Sequence, residues 1–293
     1  MKLKKLFTFA ATAALSIATL AACAPASESG STSSDTAETT LKVGIMTRNT
    51  YTTDVWNKVT ENAAKEGVKL EFTEFTDYSQ PNKALAEGDV DVNAFQHIFF
   101  LDNWNTENGE NLQVAGYTLY SPIRFYSGIA DGKDKYADVE DLPEGAEIAI
   151  PNDPTNGSRA LFLLESLGLI KLEVKDGDLA SLADITENPK NIKITELDAS
   201  QTARSLESVD GAVINNNYAQ EAGIDTDTAL YIEEKGPNTK VWYNVIAAQD
   251  KWEESDKADA IKALVKAYNT DEVGKLIEDG SKKTDFPIWN EAE

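Results

Sequence analysis

The apolar and polar positions in the main part of the chain alternate between strand spacing and helix spacing. Period-2 alternation, which is typical of strands, covers 41–46, 68–75 and 89–95. Helical spacing of apolar residues covers 54–65, and 81–88 has the proline start and glycine end of a short helix. Strands that alternate with helices in this way are typical of a parallel sheet covered by helices.

A second series of the same kind follows farther along the chain. Its strands are predicted at 147–150, 192–197 and 211–214, and its helices at 158–167 and 202–208. Extended segments at 117–128 and 241–247 flank this series, and a helix over 257–268 with a helical tail closes the chain. The pattern contains no internal sequence repeat, so the two series are similar only in their layout.

This order of elements predicts an α/β fold of two lobes joined by two crossover segments. We assign residues 41–122 and 240–293 to lobe 1 and residues 123–239 to lobe 2, with the C-terminal part returning to the first lobe. In folds of this kind, ligands bind where loops at the carboxyl ends of strands face each other. A ligand cleft is therefore expected between the lobes.

The N-terminus has the layout of a secretory signal. Three lysines in MKLKK precede an uncharged, Ala- and Leu-rich run over 6–22, which is short for a membrane-spanning helix. The residues Leu-Ala-Ala-Cys that end at Cys23 resemble the lipobox of bacterial lipoproteins, in which the cysteine becomes a lipid-modified first residue. The alternative is an ordinary signal peptide followed by an unmodified cysteine. We therefore expect a signal peptide over 1–22, lipid on Cys23, and a flexible Ser/Thr-rich tether over 23–40.

Composition and charge exclude several classes of function. The chain has 27 basic and 50 acidic residues, a net charge of −23, and such a surface repels nucleic acid. One cysteine and one histidine cannot form a disulfide scaffold or a Cys/His zinc site. The sequence also lacks a nucleophile elbow, a P-loop and a dinucleotide fingerprint. We expect no enzyme activity, no cofactor and no metal; a lipid-anchored hydrolase that uses His97, or an adhesin, would be the alternatives.

Two segments carry residues suited to binding a small molecule. The segment 151–159, PNDPTNGSR, leads from a strand into a helix, where free backbone N–H groups and Arg159 favour a carboxylate. The alternative is that its polar residues only cap the helix and that Arg159 is a solvated first-turn residue. Tyr78 and His97 follow neighbouring strands, where two rings could hold a flat or sulfur-bearing side chain. A lone histidine with a structural role is the alternative there.

Four ordered blocks of the sequence resemble one known family. They are FTEFTDYSQPNKALAEGDVDVNAFQH, IPNDPTNGSRALFLLESLGLIKL, ENPKNIKITELDASQTARSL and VDGAVINNNYA. The chain resembles the methionine-binding lipoproteins that serve as substrate-binding subunits of methionine ABC transporters. The resemblance implies that Tyr78 and His97 sandwich a thioether, that Arg159 with Asn156 beside it pairs with the ligand carboxylate, and that Asn215 fixes the head group. Which asparagine of 215–217 faces the ligand stays open.

The same resemblance implies a fold and a function. The fold would be the two-lobed, type II periplasmic-binding-protein-like fold with its ligand in the cleft. The protein would capture L-methionine and deliver it to an ABC permease with a cytoplasmic ATPase, as a monomer anchored by lipid to the extracytoplasmic face of the cell membrane. A methionine-containing dipeptide or another amino acid is the alternative ligand.

Overall fold

The computed structural model describes residues 38–175 and 177–291. The predicted signal peptide 1–22, the lipidation site Cys23 and nearly all of the predicted tether 23–40 lie outside these residues. Strand β1 begins at Thr39, so it includes the last two residues of the predicted tether. Among the described residues, none of the helices is both long and apolar enough to cross a membrane.

The described residues form strands and helices that alternate along most of the chain. The strands are β1 (Thr39–Met46), β2 (Val68–Phe75), β3 (Val92–His97), β4 (Gln113–Tyr120), β5 (Arg124–Ser127), β6 (Ile129–Ala130), β7 (Lys133–Asp134), β8 (Glu147–Pro151), β9 (Lys171–Leu172), β10 (Ile185–Glu187), β11 (Lys193–Leu197), β12 (Gly211–Ile214), β13 (Tyr231–Ile232), β14 (Tyr243–Ala248) and β15 (Phe286–Pro287). The α-helices are α1 (Thr50–Lys65), α2 (Pro81–Ala86), α3 (Ile98–Asn108), α4 (Pro154–Ser166), α5 (Ala199–Ser205), α6 (Asn216–Glu221), α7 (Ala258–Tyr268) and α8 (Asp271–Gly280).

The first large sheet has the strand order β15-β4-β14-β3-β1-β2. Strand β1 pairs in parallel with β2 and β3, as the alternating pattern predicts, with Leu41 opposite Leu70. Strand β14 returns late in the chain and pairs antiparallel with both β3 and β4. The sheet is therefore mixed, because the extended segments 117–128 and 241–247 contribute strands to it instead of only linking the lobes.

The second large sheet has the strand order β11-β8-β12-β5-β13. Its strands β11, β8 and β12 are parallel, and β5 and β13 complete it with antiparallel pairs. Separate clusters of buried apolar side chains pack on the two sheets. The chain passes from the first sheet to the second between β4 and β5 and returns between β13 and β14, which confirms the predicted α/β fold with two crossover segments.

Two helices differ from the sequence prediction in ways that affect the site. Helix α3 follows His97 directly and was not among the predicted helices. Helix α4 begins at Pro154 and not at the predicted 158, because the Asp153 side chain caps it by accepting from the backbone N–H of Asn156 at 2.9 Å. Arg159 consequently lies in the second turn of α4, and the prediction of a first-turn arginine is wrong.

Candidate functional site

The predicted site residues all line one cavity between the two large sheets. Tyr78 follows β2, His97 ends β3, Asn156 and Arg159 lie on α4 after β8, and Asn215 follows β12. The carboxyl ends of these strands face each other, which is where ligands bind in folds of this type. The structure thus brings the five side chains together from three distant parts of the chain, around a cavity of about 150 Å³.

His97 has one structural hydrogen bond and one hydrogen bond across the cavity. Its Nδ1 accepts from the backbone N–H of Phe100 at 3.0 Å and caps α3. Because Nδ1 is an acceptor, the ring proton is assigned to Nε2, which lies 3.4 Å from Oδ1 of Asn156. Burial and the nearby Arg159 charge lower the pKa of His97 to about 3. The imidazole is therefore neutral at physiological pH, and it both caps α3 and lines the cavity.

Replacing His97 by asparagine is expected to flatten the dependence of stability on pH. Between pH 6.5 and pH 3 the unfolded chain binds a proton at His97 that the folded chain excludes. The histidine's contribution is therefore complete above pH 6.5 and is lost as pH falls, at about 1.4 kcal/mol per pH unit. Asparagine also caps helices well, so the variant keeps that function.

Urea denaturation of both proteins at pH 7, 6, 5 and 4 measures this effect. The stability advantage of the wild-type protein over the asparagine variant should shrink steadily below pH 6.5. An advantage that stays constant down to pH 4 would show that His97 titrates normally in the folded protein.

Tyr78 is part of an aromatic wall of the cavity. Its ring centroid lies 5.8 Å from that of Phe95, 6.0 Å from that of Phe100 and 5.0 Å from that of Tyr218. The hydroxyl donates to Oδ1 of Asn217 at 2.5 Å, and burial raises the pKa of Tyr78 well above its usual value. A neutral, fixed ring of this kind offers a flat apolar surface to a ligand side chain.

Arg159 is buried and already has a carboxylate partner. Its side chain is 4% exposed, Nε donates to Oε1 of Glu233 at 2.7 Å, and Nη2 donates to Oε2 of the same residue. Nη2 also donates to the carbonyl of Ser121 at 3.1 Å, and the guanidinium lies 4.6 Å from the ring centroid of Trp242. Arg159 is therefore not a solvated residue. Its partner Glu233 was not predicted from the sequence, because it follows a strand of only two residues.

The electrostatics of this pair keep the guanidinium of Arg159 charged. Burial alone lowers the pKa of Arg159, but the adjacent Glu233 carboxylate outweighs it and raises the pKa above its usual value. Within the part of the chain that the structure describes, the hydrogen bonds of the guanidinium leave from Nε and Nη2 only. Nη1 is the nitrogen that remains for a ligand.

The three consecutive asparagines have different partners, although all three line the cavity. Asn215 donates from Nδ2 to Oδ1 of Asn156 at 2.8 Å, and its own Oδ1 is buried with no hydrogen-bond partner among the described residues. Asn216 donates to Oδ1 of Asp285 at 2.8 Å, and Asn217 accepts from Tyr78. Asn215 is thus the asparagine with an unused acceptor, which a ligand donor could satisfy.

Sequence reasoning missed several residues that line the same cavity. They are Phe95, Phe100, Asn244 and Asp285. Asn244 lies on β14 directly opposite His97 in the sheet register, so the extended segment predicted at 241–247 contained a signal for it. Asp285 had no such signal, because it lies in a turn near the C-terminus and far from the other residues in sequence.

The comparison with known proteins agrees with this fold. The family model of the NlpA lipoproteins matches residues 41–289. A probable D-methionine-binding lipoprotein MetQ from Haemophilus influenzae is 38% identical over 276 residues, which cover 93% of this chain and 94% of the relative.

Two solved structures are also similar. The substrate-binding protein of a methionine transporter from Streptococcus pneumoniae is 56% identical with a TM-score of 0.83, and the match covers 85% of this chain and 96% of that chain. A nutrient-binding protein from Burkholderia cenocepacia bound to methionine is 40% identical with a TM-score of 0.76, and the match covers 84% of this chain and 99% of that chain.

Two sheets with separate cores, two crossovers and a cavity between the sheets define the two-lobed fold of substrate-binding proteins. The family model matches nearly the whole of the described chain, and this makes the assignment specific. The chain belongs to the NlpA lipoprotein family.

Proposed function

We propose that this protein binds L-methionine in the cavity between its lobes and delivers it to an ABC importer. The observation that carries the proposal is that one cavity combines an aromatic wall, a buried guanidinium whose Nη1 has no hydrogen bond to the described residues, and a buried amide oxygen without a partner among them. These groups suit a zwitterion with an apolar tail. The names of the relatives support the same ligand class, since they are described as binding D-methionine or as part of a methionine transporter.

Each part of methionine has a partner in this arrangement. The thioether packs against the rings of Tyr78 and His97, since sulfur makes favourable contacts with aromatic rings. The carboxylate accepts from Nη1 of Arg159, beside Asn156, and the ammonium donates to Oδ1 of Asn215. The cavity of about 150 Å³ is large enough to hold one amino acid.

The lobe assignment gives the mechanism of capture. Lobe 1 (41–122 and 240–293) contributes Tyr78 and His97, and lobe 2 (123–239) contributes the groups that hold the amino-acid head. A ligand that contacts both lobes stabilises the closed form over the open form, and only such differential contacts can drive closure. Methionine binding therefore favours the closed protein.

The surroundings of the protein follow from its N-terminus. Lipid on Cys23 and the tether 23–40 hold a monomeric binding domain at the extracytoplasmic face of the cell membrane. There the loaded form docks on a membrane permease whose transport is driven by a cytoplasmic ATPase. The role is binding without catalysis, and it needs no cofactor.

Thermal unfolding of protein that has been denatured and refolded to remove bound ligand tests the proposal. A ligand that binds only the folded state adds about 2.7 kcal/mol of stability at a hundredfold excess over its Kd. L-methionine is expected to raise the unfolding temperature more than norleucine, D-methionine or methionyl dipeptides. If only a dipeptide or another amino acid raises the unfolding temperature, that compound is the ligand instead of L-methionine. If none of them raises it, the proposal is refuted.

A further inference from the structure

Glu233 is a buried carboxylate that the proposed ligand contacts leave unexplained. It follows β13, and its side chain is 16% exposed. Two further donors contact Glu233 besides the two nitrogens of Arg159. The hydroxyl of Tyr120 donates to Oε2 of Glu233 at 2.8 Å, and the backbone N–H of Ile123 donates to the same oxygen at 3.4 Å. Donors from three separate residues hold the carboxylate beside Arg159, so Glu233 is not a side chain that swings aside for a ligand.

The charged side chains around the cavity have no net positive charge. Glu233 compensates Arg159 directly. The second buried arginine, Arg124, donates to Oδ1 of Asn216, and the Nδ2 of that same asparagine donates to Asp285, so a second pair of opposite charges is linked through one amide. Asp153 beside Asn156 adds a further carboxylate, and His97 is neutral.

An anion without a compensating positive charge is therefore disfavoured at this site. Moving a carboxylate from water into a buried site is costly unless a charge of opposite sign compensates it. Arg159 offers a hydrogen bond from Nη1, but its charge is already balanced. A zwitterion brings its own positive charge, which the acidic surroundings and Oδ1 of Asn215 favour.

We propose that Glu233 determines the charge class of the ligand: by neutralising Arg159 it makes the site select zwitterionic α-amino acids and reject carboxylic acids that lack the ammonium group. This inference rests on the proposed function and deepens it. Glu233 acts through Arg159 and is a positioning and specificity residue with no ligand contact of its own.

The first test compares Glu233→Gln with the wild-type protein in calorimetry on the full, refolded chain. The ligands are L-methionine and its des-amino analogue, 4-(methylsulfanyl)butanoate. Removing the resident charge frees the charge of Arg159 for the anion, so the preference for methionine over the analogue should fall by about tenfold or more. The exposed neighbour Glu234 provides a matched control, because Glu234→Gln removes the same charge from the surface and should leave the preference unchanged.

A purely structural role for Glu233 predicts a different result. Both ligands would then bind more weakly by the same factor, and an unchanged preference in Glu233→Gln would overturn the inference. Glu233→Asp keeps the charge and should keep the preference even where the affinity falls.

A second test uses only the wild-type protein and so does not depend on whether the variant folds. L-methioninamide is a cation that lacks the carboxylate, whereas the des-amino analogue is an anion that lacks the ammonium. The cation should bind more tightly than the anion, and the reverse order would overturn the inference. Failure of L-methionine itself to bind would instead refute the proposed function, so the two failures can be distinguished.

Discussion

Replacing Arg159 by methionine is expected to destabilise the fold by about 3–5 kcal/mol and to abolish measurable methionine binding. Removing one partner of a buried ion pair leaves the other charge without compensation, and this cost exceeds the net value of the pair. Glu233 would keep only the donors from Tyr120 and Ile123. Binding would be lost as well, because the ligand carboxylate would have no guanidinium nitrogen to contact.

The double variant Arg159→Met with Glu233→Gln separates the two effects. With both charges removed, most of the lost stability should return, since a buried ion pair can be replaced by neutral groups at little cost. Methionine binding should remain absent. Urea denaturation and calorimetry on the wild-type protein, the single variant and the double variant measure both quantities. A double variant that binds methionine normally would show that Arg159 does not contact the ligand.

Replacing Asp285 by alanine is expected to cost at least about 3 kcal/mol, because each of three buried donors left without a partner costs about 1–3 kcal/mol. Asp285 is 3% exposed. Its Oδ1 accepts from the hydroxyl of Ser121 at 2.5 Å and from Nδ2 of Asn216 at 2.8 Å, and its Oδ2 accepts from the hydroxyl of Tyr51. The carboxylate thus joins α1, the first crossover, α6 and the C-terminal segment.

Urea denaturation at pH 7 measures this cost. Asp256→Ala is a suitable control, because Asp256 is exposed, and a surface substitution of this kind usually changes stability by less than about 0.5 kcal/mol. The loss of stability in Asp285→Asn should lie between those of Asp285→Ala and Asp256→Ala. The amide keeps one acceptor oxygen, but its NH₂ group faces other donors. A loss below about 1 kcal/mol for Asp285→Ala would contradict the assignment of this network as a joint between the lobes.

The local pattern of the sequence was enough to predict most of the elements. Strand β2 and strand β12 have the predicted bounds, because their alternation or apolar run is bounded by clear turn residues. The start of α4 was misplaced because Thr155, Asn156 and Gly157 suggested a turn. The stronger signal was Asp153 as a cap with Pro154 at the first helical position. Helix α3 was missed because its first residues are all apolar and give no helical period.

The site was predictable in part, for a physical reason. Tyr78, His97 and Arg159 each lie shortly after a predicted strand, so the topology brings them to one edge of the sheets, whereas Asn215 was implied only by the family resemblance. The partner of Arg159 was not predictable, because Glu233 is 74 residues away and no local pattern encodes that contact. The sequence therefore indicated a free cation, whereas the structure contains a neutral ion pair.

The most direct test of the central claim is to locate the ligand's chalcogen atom in the crystal. Protein refolded without ligand and crystallised with L-selenomethionine would contain selenium only in the bound molecule, and its anomalous scattering would mark that atom. We predict a single selenium position in the cavity, in contact with the rings of Tyr78 and His97. A selenium position outside this cavity, or none at saturating ligand, would contradict the account.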